Sequence, residues 1–228
     1  MATSEQPSNP KDNKSAKGKK AAKHNPEKAQ AILMGALQVF STQGYAAASM
    51  DRIAAAAGVS KPTLYSYFKD KPGLFIALIK QTTQIADRTL QGMQSGPVAQ
   101  MPPDQALRSL AKTALEQFST NPQLPTMMRL IIGESERFPE LAKTFVQEVQ
   151  KPLLGRLQAY FASHPQLNLR DPEVAARMFA GSLMHYIIVQ EILCGKEILP
   201  LSHERMVDGL VDQMIAGMKS SALDDRGR

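Results

Sequence analysis

Apolar residues recur every three or four positions along most of the chain, which is the spacing of an amphipathic helix. The clearest stripe lies within residues 29–40 and follows Asn25 and Pro26, a residue pair that is typical of a helix start. Gly44 is typical of a helix end. No segment alternates between apolar and polar residues with the period of a strand. The pattern therefore predicts an all-α fold of about nine helices, with no repeat of fixed length.

Proline, glycine and capping residues mark the ends of these predicted helices. Ser49, Ser60 and Asp70 suit N-caps, and Gly96 and Pro97 lie in a predicted loop. The predicted helices cover residues 26–44, 49–56, 60–68, 70–93, 104–119, 122–134, 139–162, 172–193 and 202–219.

Two short predicted helices, over residues 49–56 and 60–68, are joined by a turn at Gly58. Glycine permits the positive φ that such a turn requires. Ala54 is small enough for two helices to cross closely, and Leu64 is placed to fill the corner between them. This arrangement is typical of a helix-turn-helix, whose second helix enters a major groove of DNA. An ordinary corner in a helical bundle is the alternative interpretation.

The net charge of +6 is concentrated at one end of the chain. Residues 1–25 contain six lysines against two acidic residues, and residues 26–69 contain four basic residues against two acidic ones. Beyond residue 69, basic and acidic residues are equal in number. A basic end on a neutral body indicates an anionic partner, with nucleic acid as the leading candidate. For residues 1–25 alone, a solubilising tail is the alternative.

The sequence argues against several other classes of protein. Cys194 is the only cysteine, so no disulfide forms within the chain, and a reducing compartment is expected. The longest apolar run is interrupted by His185 and is too short for a membrane span, and the N-terminus lacks the apolar segment of a secretory signal. The histidines are scattered, and Glu134, Glu136 and Glu140 are interpreted as solvated charges at helix ends. We therefore expect a cytoplasmic protein with no metal, no cofactor, no membrane anchor and no enzyme activity.

Residues 53–71, with the sequence IAAAAGVSKPTLYSYFKDK, closely resemble the DNA-binding signature of TetR-family transcriptional regulators. The helix that ends at Gly44 and Tyr45 is similar to the first helix of that family. The close resemblance covers residues 26–80, and residues 136–141 resemble the C-terminal domain of a subgroup that controls efflux and quorum-sensing genes. The resemblance implies a homodimer with a variable ligand-binding domain, to which the basic tail is an addition.

These features predict four segments along the chain: a disordered basic tail over residues 1–25, a helix-turn-helix DNA-binding domain over 26–71, a helical ligand-binding and dimerisation domain over 72–220, and a disordered C-terminus over 221–228. The main functional prediction is a ligand-responsive repressor that binds a palindromic operator in double-stranded DNA as a homodimer. A small-molecule-binding protein with secondary DNA binding, or a nonspecific basic nucleic-acid-binding protein, are the alternatives.

Family resemblance and side-chain chemistry place Lys61, Pro62 and Tyr65 at base edges. Lys61 is suited to donate to guanine, and the other two are suited to meet a thymine methyl group, with local packing as the alternative for the tyrosine. Phosphate oxygens, which fix the register without reading sequence, are the predicted partners of Ser49, Thr63, Tyr67 and Lys71. Local packing is the alternative for Tyr67 as well. Arg52 either contacts phosphate or is a solvated charge. The whole predicted DNA-binding set is Ser49, Arg52, Ser60, Lys61, Pro62, Thr63, Tyr65, Tyr67 and Lys71.

Methionine and phenylalanine are frequent in the predicted helices beyond residue 80, and methionine adapts to irregular apolar surfaces. A pocket for a small apolar or amphipathic effector is expected there, with ordinary core packing as the alternative. The predicted pocket residues are Met93, Phe118, Met127, Met128, Phe145 and Met178.

The last two predicted helices carry more apolar residues than one buried stripe requires. Cover on two sides is therefore expected, from the body of the chain and from a two-fold partner. Complete burial within one chain is the alternative. The predicted interface residues are Phe179, Leu183, Ile187, Gln190, Leu210 and Met214.

Overall fold

The computed structural model describes residues 25–81 and 100–224, with side chains described as far as residue 216. Within these ranges every regular element is helical and no strand is present, which confirms the predicted all-α fold. In chain order the helices are α1 (Pro26–Ala47), α2 (Met50–Ala56), α3 (Lys61–Tyr67), α4 (71–81, as far as it is described), α5 (Pro103–Thr120), α6 (Gln123–Glu134), α7 (Pro139–Phe145), α8 (Lys151–Ala162), α9 (Pro172–Ile187) and α10 (His203–Asp224).

Two π turns continue helices of the C-terminal part of the chain. The turn Val146–Gln150 joins α7 to α8 without a break, so that the two form one rod, and the turn Ile188–Ile192 extends α9. Counted in this way, the described residues form nine helices, as the sequence predicts. Such π turns are frequent at functional sites.

Gly44 breaks the regular path of α1. Its φ of 75° and ψ of 165° lie in a region that glycine adopts without strain. The regular part of α1 therefore ends where the sequence predicts. Residues 45–47 form one more helical turn beyond this kink, and Ala48 leads to Ser49, the cap of α2. Residues 45–48 are called the turn before α2 below.

Two clusters of buried side chains form the interior. One is built by α1 to α4 and also includes Met127, Leu130 and Ile131 of α6 and Leu141 of α7. The other is built mainly by α5, α8, α9 and α10. Helix α6 contributes three residues to the first core, and the rod of α7 and α8 that follows it packs on the second core. Helix α6 therefore joins the N-terminal helices to the rest of the chain.

The residues predicted at a dimer interface mostly belong to the interior of one chain. Leu210 packs partly buried against the second core. The other five predicted residues are buried: Phe179, Leu183, Ile187, Gln190 and Met214. Four of them belong to the second core, where α5, α8, α9 and α10 of the same chain pack together, and Gln190 donates a hydrogen bond to Leu199 O at 2.7 Å. Their place at a dimer interface stays a prediction. Helical periodicity shows that a face is buried, and it does not show which helix covers it.

None of the described helices has both the length and the apolar character needed to cross a bilayer.

Candidate nucleic-acid interface and effector cavity

Side-chain caps start both helices of the helix-turn-helix. Ser49 Oγ accepts a hydrogen bond from Arg52 N at 3.3 Å at the start of α2. Ser60 Oγ accepts one from Thr63 N at 3.3 Å at the start of α3. These bonds satisfy backbone donors that have no partner within the helix, so each short helix begins at a defined residue.

The turn between α2 and α3 places the second helix with one face inward. Gly58 has a φ of 64°, and Val59 N donates back to Ala54 O at 3.0 Å. Leu64 is fully buried in the corner, whereas the neighbouring Tyr65 is 45% exposed. The buried face fixes the position of α3, and the opposite face remains available to a partner, as in a helix-turn-helix.

The exposed face of α3 carries Lys61, Pro62 and Tyr65, the three residues predicted at base edges. Lys61 Nζ lies 2.7 Å from a carboxylate oxygen of Asp51 on α2, and both side chains are more than half exposed. The hydrogen bond to Asp51 raises the pKa of Lys61. Exposed ion pairs contribute little to stability, so an acceptor on DNA can replace Asp51 at this ammonium group.

The other side chains predicted to contact phosphate have partners within the protein. Thr63 Oγ1 shares a hydrogen bond with Ser60 Oγ at 2.8 Å. The Tyr67 hydroxyl accepts a hydrogen bond from Asn25 N at 2.8 Å, which ties the end of α3 to the start of α1. Arg52 donates to the last residues of α1. These contacts hold the three helices together, so the residues shape the interface whether or not they touch DNA.

Lys71, predicted to contact phosphate, is directed to the turn before α2 instead. Its Nζ donates to the carbonyl oxygens of Tyr45 at 2.8 Å, Ala46 at 3.4 Å and Ala48 at 3.0 Å. It also lies 4.4 Å from the centroid of the Tyr45 ring, a cation–π distance. Burial lowers the pKa of Lys71, and the negative charge of Glu134 opposes this shift. In the structure this ammonium group braces the turn, because backbone carbonyls take its N–H groups.

Glu134, interpreted from the sequence as a solvated charge, also belongs to this site. It is the last residue of α6, and its Oε1 accepts a hydrogen bond from Tyr45 N at 3.0 Å. A Cβ atom at Gly44 would lie 2.9 Å from the same oxygen, so glycine leaves room for this carboxylate beside the backbone. The two bonded residues are 89 positions apart, and no local pattern of the sequence points from one to the other.

An apolar cavity of about 150 Å³ lies between α4, α5, α6, α8, α9 and the π turn Val146–Gln150. Polar side chains line it only at Thr113, Gln117 and Gln150, and none of the lining residues in the described chain is charged. The remaining wall is aliphatic, aromatic or methionine. A dry apolar cavity of this volume in another protein holds benzene, so this one has room for a small uncharged molecule.

Four of the six predicted pocket residues line the cavity: Phe118, Met127, Met128 and Phe145. Met93 lies outside the described residues. Met178 is 61% exposed on the outer face of α9, so its predicted place in the pocket is wrong. The wall instead includes Phe179, Leu183 and Ile187, which the sequence assigns to a dimer interface.

The π turn Val146–Gln150 connects this cavity to the N-terminal helices. Val149 and Gln150 line the cavity. Glu148, the residue before Val149 in the same turn, forms an ion pair with Lys80 of α4 at 2.5 Å. Because α4 directly follows the helix-turn-helix, elements that line the cavity contact the helices of the DNA-binding region here, through Glu148, and at Glu134 of α6.

Two family models match the chain. The model described as bacterial regulatory proteins, tetR family, matches residues 32–78, which contain the helix-turn-helix. The model described as AefR-like transcriptional repressor, C-terminal domain, matches residues 105–217, which contain most of the cavity wall.

Individual relatives show the same likeness. The transcriptional regulator AcrR of Shigella flexneri is 32% identical over 129 residues, which are 56% of this chain and 57% of AcrR. The structure of the flavonoid-responsive regulator FrrA is 30% identical, with a TM-score of 0.62 over 88% of this chain and 97% of FrrA. The structure of FadR from Bacillus subtilis in complex with stearoyl-CoA is 19% identical, with a TM-score of 0.65 over 82% of this chain and 98% of FadR. At this identity the likeness shows only that the two proteins share a fold.

Proposed function

The chain belongs to the TetR family of transcriptional regulators, and from this premise we propose that it is a ligand-responsive repressor that binds a palindromic operator as a homodimer. One observation carries the proposal: the exposed helix α3 and the apolar cavity belong to one chain and are linked through α4 and α6. A repressor of this kind binds chromosomal DNA and catalyses no reaction. We therefore place the protein in the cytoplasm and assign it no enzyme activity.

The exposed face of α3 is the part that would read DNA. Lys61 and Tyr65 project from it beside Pro62, and Lys61 has only an exposed carboxylate as a competing partner. A helix of seven residues reaches only a few base pairs. Two copies, presented about 34 Å apart by a two-fold dimer, would read half-sites in successive major grooves. Recognition of a full operator therefore requires a dimer.

The exposed face of α9 is the surface that we assign to that dimer, in place of the buried set. Val174 and Met178 are 48% and 61% exposed there, and Gly181 and His185 continue the same face at helical spacing. Apart from the neighbouring backbone of its own helix, nothing lies within 4 Å of where a Cβ of Gly181 would stand, and the same holds for Gly209 of α10. Such open, small positions allow a partner helix to approach closely, so α9 and α10 of two chains would form a four-helix interface.

The chemistry of the cavity restricts the effector. An ionised molecule would lose its hydration there without gaining an opposite charge, which is strongly unfavourable. A hydroxyl at Thr113 and amides at Gln117 and Gln150 are suited to orient one or two neutral polar groups. We therefore propose a small uncharged effector, apolar or amphipathic. The flavonoid-responsive relative FrrA supports a small-molecule effector of this kind.

The effector would act by favouring one arrangement of the cavity wall. A ligand shifts a conformational equilibrium only by its difference in affinity for the two states. Since α4 and α6 line the cavity and also pack in the N-terminal core, a rearranged wall would change the placement of the two recognition helices in the dimer. Repression would then be relieved, because half-site spacing is fixed by the DNA.

A salt titration of DNA binding tests this function. The probe is a duplex selected from a random library by binding to the protein, and the control is random duplex of the same length. We expect the selected duplex to bind at least about a thousandfold more tightly. Equal affinity for both duplexes would indicate a nonspecific basic nucleic-acid-binding protein. Absence of DNA binding would leave a small-molecule-binding protein.

A further inference from the structure

Side chains from three helices hold the backbone turn at residues 45–48, which leads directly into α2. Glu134 Oε1 accepts a hydrogen bond from its first N–H at 3.0 Å. Lys71 Nζ donates to its first and last carbonyls at 2.8 and 3.0 Å. Arg52 Nη1 lies 3.4 Å from its third carbonyl oxygen. The turn thus depends on side chains for bonds that a continuous helix would make within itself.

Among these three side chains, Glu134 alone comes from outside the first four helices. Arg52 belongs to α2 and Lys71 to α4, so they move with the helix-turn-helix. Glu134 ends α6, and Met128 of the same helix lines the cavity six residues earlier. At 1.5 Å per residue, the two lie about 9 Å apart along one rigid helix. The hydrogen bond to the turn therefore joins the cavity wall to the start of the DNA-binding helices.

Glu134, at the C-terminal end of α6, does not stabilise that helix. A negative charge at the C-terminal end of a helix interacts unfavourably with the helix dipole. The surroundings nevertheless admit it closely, because Gly44 presents no Cβ to the carboxylate oxygen. The Tyr45 ring is held at the same place, with its centroid 5.2 Å from that of Phe138, just beyond α6, and 5.4 Å from that of Phe75 in α4.

From these contacts we propose that Glu134 is a positioning residue for DNA recognition, which sets the orientation of α2 and α3 from the cavity side of the molecule. This role rests on the proposed function as a DNA-binding regulator. A hydrogen bond is lost when its atoms separate beyond about 3.5 Å. A shift of α6 by less than 1 Å is therefore enough to break this hydrogen bond, which makes the support that Glu134 gives to the turn sensitive to small changes in the cavity wall.

Three variants of the full chain test the role. Glu134→Ala removes the acceptor, and Glu134→Gln keeps an acceptor oxygen of the same reach without the charge. Glu136→Ala is the matched control, because it removes a carboxylate at an exposed position two residues further on. Hydrogen exchange is measured at the amides of residues 45–56, and the amides of α9 report whether the rest of the fold is intact. Affinity is measured for the selected duplex and for random duplex.

We expect Glu134→Ala to speed exchange at residues 45–56 and to lower the preference for the selected duplex, each about tenfold, with exchange in α9 unchanged. Glu134→Gln should retain most of both properties, and Glu136→Ala should resemble the unaltered protein. Unchanged exchange in Glu134→Ala would overturn the role. So would a Glu134→Gln variant that loses as much protection from exchange and as much duplex preference as Glu134→Ala. If the unaltered protein prefers no duplex, the proposed function fails, and the exchange data alone decide whether Glu134 positions the turn.

Discussion

The backbone N–H of Tyr45 and the carboxylate of Glu134 form a hydrogen bond of 3.0 Å between residues that are 89 positions apart. Tyr45 opens the turn that leads into the helix-turn-helix, and Glu134 ends a helix that lines the cavity. A second link, the ion pair of Lys80 with Glu148, joins α4 to the π turn beside the same cavity. The DNA-binding helices and the cavity wall are therefore mechanically connected at two points.

Replacement of Lys61 tests readout by α3. In Lys61→Ala, we expect discrimination at one base pair of each half-site to fall about tenfold, because a donor to guanine is lost. The measurement is affinity for the selected duplex and for variants with single base-pair changes. Lys69→Ala, at an exposed lysine just beyond α3, should keep the discrimination. Loss of affinity for all duplexes alike in Lys61→Ala would assign this residue to phosphate instead.

Replacement of Lys71 tests the brace on the turn. Lys71→Ala leaves the carbonyl oxygens of Tyr45 and Ala48 without their donor. We expect the free energy of unfolding to fall by about 1.5–3 kcal/mol, as for other hydrogen bonds to a charged group. Urea denaturation measures this loss, with Lys28→Ala on the exposed side of α1 as the control. Unchanged stability together with a weaker salt dependence of DNA binding would restore the phosphate role that the sequence predicts.

A charge on the exposed face of α9 tests the dimer surface. Met178→Glu should give a folded monomer with little affinity for the selected duplex, because a charge would be buried between two copies of α9. Sedimentation velocity measures the association state. Val146→Glu is the control, since Val146 is 55% exposed at another surface. A dimeric Met178→Glu variant would exclude this face. By contrast, Ile187→Glu should destabilise the chain itself, because Ile187 is only 3% exposed and lines the cavity.

A series of ligands of equal size and different charge tests the cavity. Benzyl alcohol, benzoate and benzylammonium at pH 7.5 carry the same ring and differ in charge. We expect benzyl alcohol alone to bind, because the wall lacks a charged residue within the described chain. Isothermal titration calorimetry measures binding of all three. Preferential binding of benzoate or benzylammonium would show that a charged group contributes to the site.

Removal of residues 1–24 tests the basic tail. The deletion removes six lysines and two acidic residues. We expect DNA affinity to fall mainly at low salt, because the effect of exposed charges is screened within about 10 Å at 0.1 M salt. The preference for the selected duplex and the urea midpoint should stay unchanged. A lower midpoint would show instead that the tail stabilises the folded chain.

Most of the secondary structure could be predicted from the sequence, and the reason is physical. A helix start depends on a cap and its next three residues, as at Ser49 and Ser60, and a helix end on a residue such as Gly44. These contacts lie within a few positions, so the local sequence is sufficient to find them. The helix-turn-helix was predictable for the same reason, since Gly58 and Leu64 are neighbours of the turn that they form.

Only the tertiary structure decided how these helices cover one another. Periodicity marks Phe179, Leu183 and Ile187 as buried, and packing within the chain places them at the wall of a cavity. Likewise, the sequence shows charged residues at Lys71 and Glu134 and does not show that both reach the turn before α2. The contacts that connect cavity and DNA-binding helices join residues far apart in the chain, and their distances exist only once the helices have packed.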